Sequence, residues 1–209
     1  MKIVEEEVLI SRGAFAESPD WTRIAEEIRS AVRSAEWPPN TGTGIFTIRP
    51  MSRANGVKPI KLGPIAKLKA KGWNIEHPFE FEEVSDEGRT AATVAKPGDF
   101  DAVLSYGRLP IAVEWETGNI SSSHRALNKM ALGLLRGSLA AGTLIVPSKK
   151  LYPYLTDRVG NISELRPYFD LWRIVPCREG VLQIIVIEHD AADTAAPLIP
   201  KGTDGRAKR

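Results

Sequence analysis

The sequence predicts an α/β fold in which a mixed central sheet is flanked by helices on both faces. Residues 20–36 and 121–142 carry apolar side chains at helical spacing, and residues 143–146 and 181–188 are apolar runs typical of buried strands. Between the two helices, residues 99–116 alternate as a β-hairpin. A hairpin followed by a helix and a buried strand requires a crossover connection, which places parallel strands beside antiparallel ones.

The two main helices have recognisable ends. Ser18-Pro19 precedes the first helix and Pro38-Pro39 follows it. The serines of 121–123 are expected to cap the long helix, whose apolar positions continue to Gly142. A short strand, a second helix, an extended segment, a turn and a further helix are predicted at 45–48, 60–71, 73–81, 152–154 and 163–169, respectively.

Size and composition favour one domain. The chain has 209 residues, of which 43% are hydrophobic, so residues 1–209 are expected to form a single domain with an extended or mobile tail from about residue 195. It has neither an apolar run of membrane-spanning length nor a secretory leader, which predicts a cytoplasmic protein. The single Cys177 excludes an internal disulfide framework and a thiolate zinc site.

Charge is distributed unevenly along the chain. The net charge of +2 does not by itself identify a nucleic-acid-binding protein. Basic residues nevertheless gather in Lys58–Lys71, at Lys149-Lys150 and in Lys201–Arg209, whereas acids concentrate in Glu80–Glu87 and in the hairpin. Basic patches beside an acidic pocket suit a phosphodiester substrate. The alternative is that these patches are ordinary solvated surface.

The loop of the hairpin fixes its register. Gly107 and Arg108 form a two-residue loop with Gly first, which is typical of a type II′ turn. Pairing then runs from 106 with 109 to 104 with 111 and 101 with 114. Asp101 and Glu114 are therefore a non-hydrogen-bonded pair with Cα atoms about 4.5 Å apart.

Alternation adds two more acids to the same face. Asp99 falls opposite Glu116, so up to four carboxylates lie together, while an apolar set packs on the other face: Phe100, Ala102, Leu104, Ile111, Val113 and Trp115. Like charges this close destabilise a hairpin and require compensation. Mg²⁺ provides it, because this ion takes carboxylate oxygens as ligands. A solvated acidic face without a ligand is the alternative.

At this point the residues resemble a known family. Lys96–Asp101 followed by Val113–Asn119 resembles the active-site hairpin of type II restriction endonucleases of the BamHI/BglII kind, within the PD-(D/E)xK nuclease superfamily. Further similar segments are Gly56–Lys61, Leu144–Ser148 and Tyr154–Asn161. The resemblance covers roughly residues 20 to 190, and it implies a restriction-endonuclease-like αβββαβ core.

The resemblance implies Mg²⁺-dependent cleavage of both strands of a short palindromic duplex DNA site, possibly centred on GATC. Mn²⁺ may substitute for Mg²⁺ in such enzymes, and a homodimer and a cognate DNA methyltransferase are expected. By position, the catalytic and metal-binding residues are Asp101, Glu114 and Glu116, with Asp99 as the alternative to Asp101. Glu116 stands where most nucleases of this superfamily have Lys, which agrees with the BamHI-like subgroup. A carboxylate there can bind metal or accept a proton from water.

DNA contacts are expected near the same hairpin. A polar helix N-terminus follows Glu116, where N–H groups and short side chains can reach phosphates and base edges. The predicted DNA-binding residues are Asn119, Ser121, Ser122, His124, Arg125, Ser148, Lys149, Lys150 and Arg158, with Asn128 and Lys129 extending the polar helix face. Alternatively, Ser121 is simply an N-cap and Arg125 and Lys129 are solvated.

Two other functions remain open from the sequence. One is a repair or structure-specific nuclease on the same fold. The other is a DNA-binding module without catalysis, in which the hairpin acids are only surface charge.

Overall fold

The computed structural model describes residues 1–79, 81–83, 93–95, 98–156 and 159–201 of the chain. The strands are Lys2–Arg12 (β1), Thr47–Ile48 (β2), Asn74–His77 (β3), Phe81–Glu83 (β4), Thr93–Ala95 (β5), Phe100–Tyr106 (β6), Leu109–Trp115 (β7), Ala141–Pro147 (β8), Gly180–Glu188 (β9) and Ala191–Ala192 (β10). The helices are Gly13–Ala16 (α1), Pro19–Arg33 (α2), Lys58–Ala70 (α3), Ile120–Leu135 (α4), Ile162–Leu165 (α5) and Phe169–Arg173 (α6), and 3₁₀ turns lie at Tyr152–Tyr154 and Arg166–Tyr168.

A mixed six-stranded sheet forms the centre of the molecule. Its strand order is β1-β9-β8-β7-β6-β3. β7, β8 and β9 are mutually parallel, because α4 carries the chain from β7 across to β8. The other pairings are antiparallel. The predicted mixed sheet is therefore confirmed.

Helices cover both faces of this sheet. On one face, α2 and α3 contribute Ile28 and Leu68 to a core that also contains Val113. On the other face, α4 and α6 contribute Leu127 and Trp172 to a second core. The two cores hold the strands from both sides, so the end of β7 has a fixed position between the helical layers.

The acidic hairpin has the predicted register. The observed pairs include Tyr106 with Leu109, Leu104 with Ile111 and Ala102 with Val113. Gly107 has a φ of 55°, which a type II′ turn requires at its first central position and which Gly adopts without steric cost.

One prediction for the hairpin is wrong, because Phe100 does not share a face with Ala102. Ala102 belongs to the core beneath α2 and α3, whereas Phe100 lies in the core beneath α4. The ring of Phe100 packs on Phe79 with centroids 4.9 Å apart. The alternation is interrupted at Asp101, whose carboxylate accepts a hydrogen bond from the backbone N–H of Trp115 in place of a regular ladder contact.

The long helix ends earlier than the sequence predicts. α4 stops at Leu135, and Gly137 follows with a φ of 65°. The N–H groups of Gly137 and Ser138 donate to the carbonyls of Leu134 and Gly133, respectively, which is the Schellman arrangement. Leu139 is buried as predicted, but it belongs to the connection between α4 and β8 and not to the helix.

Three further segments differ from expectation or extend it. β1 is an edge strand that the sequence analysis does not predict. The helix predicted at 163–169 is divided into α5, a 3₁₀ turn and α6. Ile199 is buried, and its carbonyl accepts from the N–H of Gly56, so the chain near residue 199 runs along the body of the molecule. Residues 202–209 lie outside the described residues, and within the described part no helix is long and apolar enough to cross a membrane.

Candidate active site

Asp101 lies at the start of β6 and is held from two sides. Its Oδ1 accepts a hydrogen bond from the ammonium group of Lys61 on α3, with an N···O distance of 2.5 Å. Its Oδ2 accepts from the backbone N–H of Trp115 at 2.7 Å. The observed ladder ends at the pair of Ala102 with Val113, one residue before Asp101, and the charge of Asp101 still acts on the neighbouring Glu114.

Glu114 is buried near the end of β7 and forms an ion pair with Lys129 of α4. Both side chains are almost fully removed from solvent, with exposed fractions of 8% for Glu114 and 5% for Lys129. Burial raises the pKa of Glu114, the ammonium of Lys129 opposes this rise, and the charge of Asp101 adds to it. Two carboxylates and two lysines thus meet at the end of the hairpin.

Glu116 follows one residue after β7, and the pKa of its carboxyl group is strongly raised. Burial, together with the charges of Glu114 and Asp101, raises the pKa of Glu116 from 4.5 to about 7. Lys61 and Arg125 act in the opposite direction. The three predicted catalytic acids therefore interact electrostatically, and Glu116 exchanges its proton near neutral pH.

Asp99 takes a different position. Its side chain is exposed. Its backbone carbonyl, and not its carboxylate, accepts a hydrogen bond from Lys129 at 2.5 Å. Of the two candidates for the first acid, Asp101 is the one fixed beside Glu114.

The donor set suits a hard divalent cation. Carboxylate oxygens are the ligands that Mg²⁺ prefers in proteins, and three of them interact here. As the side chains stand, the described residues contain no ready-made group of three His, Cys, Asp or Glu around one point. Lys61 and Lys129 instead supply positive charge to Asp101 and Glu114. Both acids thus attract a positively charged group in the structure, as the ligands of a cation would. The chemistry of these residues therefore fits a metal ion.

The chain passes directly from the acids to the N-terminus of α4. Asn119 is the N-cap, and its Oδ1 accepts from the N–H of Ser122 at 3.2 Å. The prediction that the serines 121–123 cap this helix is therefore wrong. The helix begins earlier because Asn119 has the extended backbone of an N-cap and an amide oxygen of suitable reach.

A groove of about 1030 Å³ opens beside Asn119. Its lining combines apolar side chains with polar and charged ones, among them Ser52, Arg53, Asn119, Lys149, Tyr152, Ser163 and Glu164. Asn55 fixes one wall, because its side-chain amide donates to the carbonyls of Arg49 and Tyr154 at 2.9 and 3.0 Å. On the opposite wall, the N–H of Gly160 donates to the carbonyl of Gly118 at 2.8 Å.

Comparisons with known proteins agree with this geometry. The family model described as "Restriction endonuclease BamHI" matches residues 1–206. The chain belongs to the BamHI restriction endonuclease family. It is 46% identical to the type II restriction enzyme OkrAI of Oceanobacter kriegii over 209 residues, which are 100% of both chains. It is 36% identical to the type II restriction enzyme BamHI of Bacillus amyloliquefaciens over 186 residues, covering 88% of this chain and 82% of that one.

A solved structure supports the fold. The restriction endonuclease BglII, in a crystal structure with a DNA 16-mer, superimposes with a TM-score of 0.55 at 11% identity. The match covers 91% of this chain and 79% of BglII. At this identity the likeness concerns the fold alone, and it confirms the restriction-endonuclease-like architecture.

The predicted DNA-binding residues of this family member are distributed around the groove in different ways. Asn119 and Lys149 line it. Ser121 and Arg125 are exposed on the first turns of α4, beside the half-buried Ser122. His124 packs edge-on against Tyr168, with ring centroids 4.6 Å apart, and Arg158 lies outside the described residues.

Ser148 and Lys150 have structural partners. The hydroxyl of Ser148 accepts from the N–H of Leu151 at 3.0 Å and donates to Glu188 at 3.3 Å. Lys150 donates to the same carboxylate at 2.9 Å. Both residues thus stabilise the turn after β8, next to the exposed Lys149.

Sequence reasoning missed the role of two lysines. Lys129 was expected on a polar helix face, but only 6% of the residue is exposed. The position of Lys129 among the apolar residues Ala126, Leu127 and Met130 was an available signal. Lys61 was assigned to a basic patch, and nothing in its local sequence indicates a carboxylate partner 40 residues away.

Proposed function

We propose that this restriction endonuclease is a Mg²⁺-dependent type II enzyme that hydrolyses both strands of a short palindromic duplex DNA site. The observation that carries the proposal is the electrostatic interaction of Glu116 with the carboxylates of Glu114 and Asp101 at the end of the hairpin. These acids would hold Mg²⁺, or Mn²⁺ in its place. When bound, the ion supplies charge neutralisation and a lowered pKa for its water ligand.

The residues of the chain have distinct roles in this proposal. Asp101 and Glu114 are fixed by Lys61 and Lys129 and, together with Glu116, would be the metal ligands. Glu116, whose pKa is about 7 in the metal-free protein, accepts a proton from the attacking water. The ammonium of Lys61 lies beside Asp101 and is available to stabilise negative charge on the phosphate. The products would carry a 5′-phosphate and a 3′-hydroxyl.

The groove beside Asn119 is the proposed DNA-reading surface. The side chains of Arg53, Lys149 and Asn119 in its lining suit contacts with a phosphodiester backbone and with base edges. Asn119 and Lys149 reach the groove directly, and Ser121, Ser122 and Arg125 continue it along α4. His124, Ser148, Lys150 and Arg158 remain proposed contacts on its borders.

A homodimer is part of the same proposal, because a palindromic site presents two equivalent halves to two active sites. Exposed apolar side chains in and beside α6 support it: Tyr168 (45% exposed), Leu171 (61%) and Ile174 (72%). The proposal also includes a recognition site centred on GATC. It further includes a cognate DNA methyltransferase and action in the cytoplasm.

The test is to incubate the purified protein with Mg²⁺ and a plasmid library and to sequence the DNA ends. Ends that share one short palindrome support the proposal, whereas scattered ends indicate a repair or structure-specific nuclease. Asp101→Asn and Glu114→Gln are each expected to lower the cleavage rate at least about 100-fold, because each removes a ligand charge. Full cleavage by either variant contradicts the assignment, and duplex binding without any cleavage favours a non-catalytic module.

A further inference from the structure

Lys129 is unusual among the lysines that the structure describes because it is buried. It projects from α4 toward the sheet, and its side chain is only 5% exposed. Lysine is almost never fully buried unless its ammonium is paired, since the charge loses its hydration. The partners of this ammonium therefore account for its position.

Among the described residues, the partners of the Lys129 ammonium lie on the hairpin or directly before it. The ammonium pairs with Glu114 Oε1 at the end of β7. It donates to the carbonyl oxygens of Asp99 at 2.5 Å and Gly98 at 3.4 Å, just before β6. It also lies 4.2 Å from the ring centroid of Phe100, in a cation–π contact. A single side chain thus joins α4 to both strands of the hairpin.

This arrangement is independent of a cation bound by the three acids. The ammonium also contacts the carbonyls of Gly98 and Asp99 and the ring of Phe100, and none of these groups is a proposed metal ligand. These contacts would keep the ammonium in place if Glu114 also held an ion. Lys61 differs, because in the described part of the chain its ammonium pairs with the carboxylate of Asp101 and its side chain is 37% exposed.

We infer that Lys129 is a positioning residue that holds the Glu114 carboxylate as a metal ligand and stays bound to it when the metal is present. The inference rests on the proposed metal site. Partners that orient metal ligands typically contribute about 10- to 100-fold to metal affinity. The loss of Lys129 removes the ion-pair partner that orients the buried Glu114 carboxylate.

The experiment measures metal binding directly, apart from cleavage. Mn²⁺ is titrated by calorimetry into the metal-free full chain and into Lys129→Met and Lys67→Met, and thermal unfolding is recorded without metal. Lys67 is a matched control on α3. Its ammonium donates to the carbonyl of Ser30 at 3.1 Å, so Lys67→Met removes a lysine contact between two helices and leaves the acids intact.

Both Met variants are expected to unfold at lower temperature, but only Lys129→Met should lose Mn²⁺ affinity, by about 10- to 100-fold. Equal losses in the two variants, unchanged affinity or tighter binding by Lys129→Met would overturn the inference. If Lys129→Met does not fold, Lys129→Gln, which keeps a hydrogen-bond donor without the charge, is read in the same way. If the unaltered chain binds no Mn²⁺ and cleaves no DNA, the proposed function itself fails and this inference with it.

Discussion

Lys61 on helix α3 and Asp101 on strand β6 are joined by a hydrogen-bonded ion pair with an N···O distance of 2.5 Å. The two residues are 40 positions apart, and the pair links the helical layer to the start of the hairpin. Because the lysine is 37% exposed, its ammonium faces both the acid and the solvent in which substrate arrives. In the proposed function, the pair places a positive charge beside the acids, where it is available to a phosphate.

Lys61→Met is expected to lower the cleavage rate about 10- to 100-fold while costing less than about 1 kcal/mol of stability. The rate falls because the ammonium that stabilises phosphate charge is removed. Stability changes little because partly exposed ion pairs contribute about 0–1 kcal/mol. Single-turnover cleavage at saturating Mg²⁺ and chemical denaturation measure the two effects. Lys69→Met, an exposed position on the same helix, is the control and should behave as the unaltered protein.

The stability of the metal-free protein should depend on the protonation of Glu116. Its pKa is about 7 in the folded protein against an ordinary 4.5, so the folded state binds this proton more tightly than the unfolded state. The contribution of this group to the free energy of unfolding is therefore fully present below pH 4.5, and it is lost as the pH rises to about 7. This contribution is at most on the order of 3 kcal/mol, because one pKa unit corresponds to about 1.36 kcal/mol. The partial exposure of Glu116 makes the contribution smaller than this bound.

Glu116→Gln tests this dependence, since it removes the titrating group. Denaturation of both proteins at pH 5, 6, 7 and 8 without metal should show the variant gaining stability relative to the unaltered chain up to about pH 7. Addition of Mg²⁺ should favour the unaltered chain instead. A constant difference across this range would contradict the assigned pKa.

Asn119 has two separable roles, as the N-cap of α4 and as a proposed reader of DNA. Asn119→Ala is expected to cost about 1 kcal/mol of stability, whereas Asn119→Ser should retain the cap, because Ser and Asn cap almost equally well. Both variants should lose the site preference, because neither presents a side-chain amide to a base. Thermal unfolding measures the cap, and sequencing of cleaved ends measures the preference. An unchanged preference in Asn119→Ser would assign the residue to capping alone.

Arg53 lines the groove and is expected to contact a DNA phosphate. Arg53→Ala should weaken duplex binding uniformly across sequences and reduce the slope of log affinity against log salt by about 0.9, the value for one phosphate contact. Fluorescence anisotropy with Ca²⁺ replacing Mg²⁺ measures binding without cleavage. Arg178→Ala is the control, because Arg178 is exposed two residues before β9, and β9 begins at the sheet end remote from the acids. Equal slopes for the two variants would remove Arg53 from the interface.

The hairpin could be predicted because its signals are local. Gly107 fixes the turn, and the period of two then determines each pair up to Ala102 with Val113. The buried strands β8 and β9 could also be predicted, because each is a nearly continuous run of apolar residues. The family resemblance then identified the acids.

Features that depend on distant partners could not be predicted. β1 contains the run Glu5-Glu6-Glu7, which obscures the alternation of a strand. These acids are compensated by Arg166, Arg29 and Arg173, respectively, from three separate parts of the chain. The face of Phe100 is a similar case, because the reversal depends on how Asp101 bonds to the backbone of Trp115.

The short path between Glu116 and Asn119 has a consequence for the evolution of this enzyme. One continuous stretch of backbone leaves β7 with the acid that titrates near neutral pH and reaches the helix cap at the groove three residues later. A mutation that repositions Asn119 to accept a new sequence therefore also displaces Glu116. New specificities in such a lineage should arise mainly on the opposite wall, at Ser52, Arg53 and Tyr152, where drift leaves the cutting machinery undisturbed.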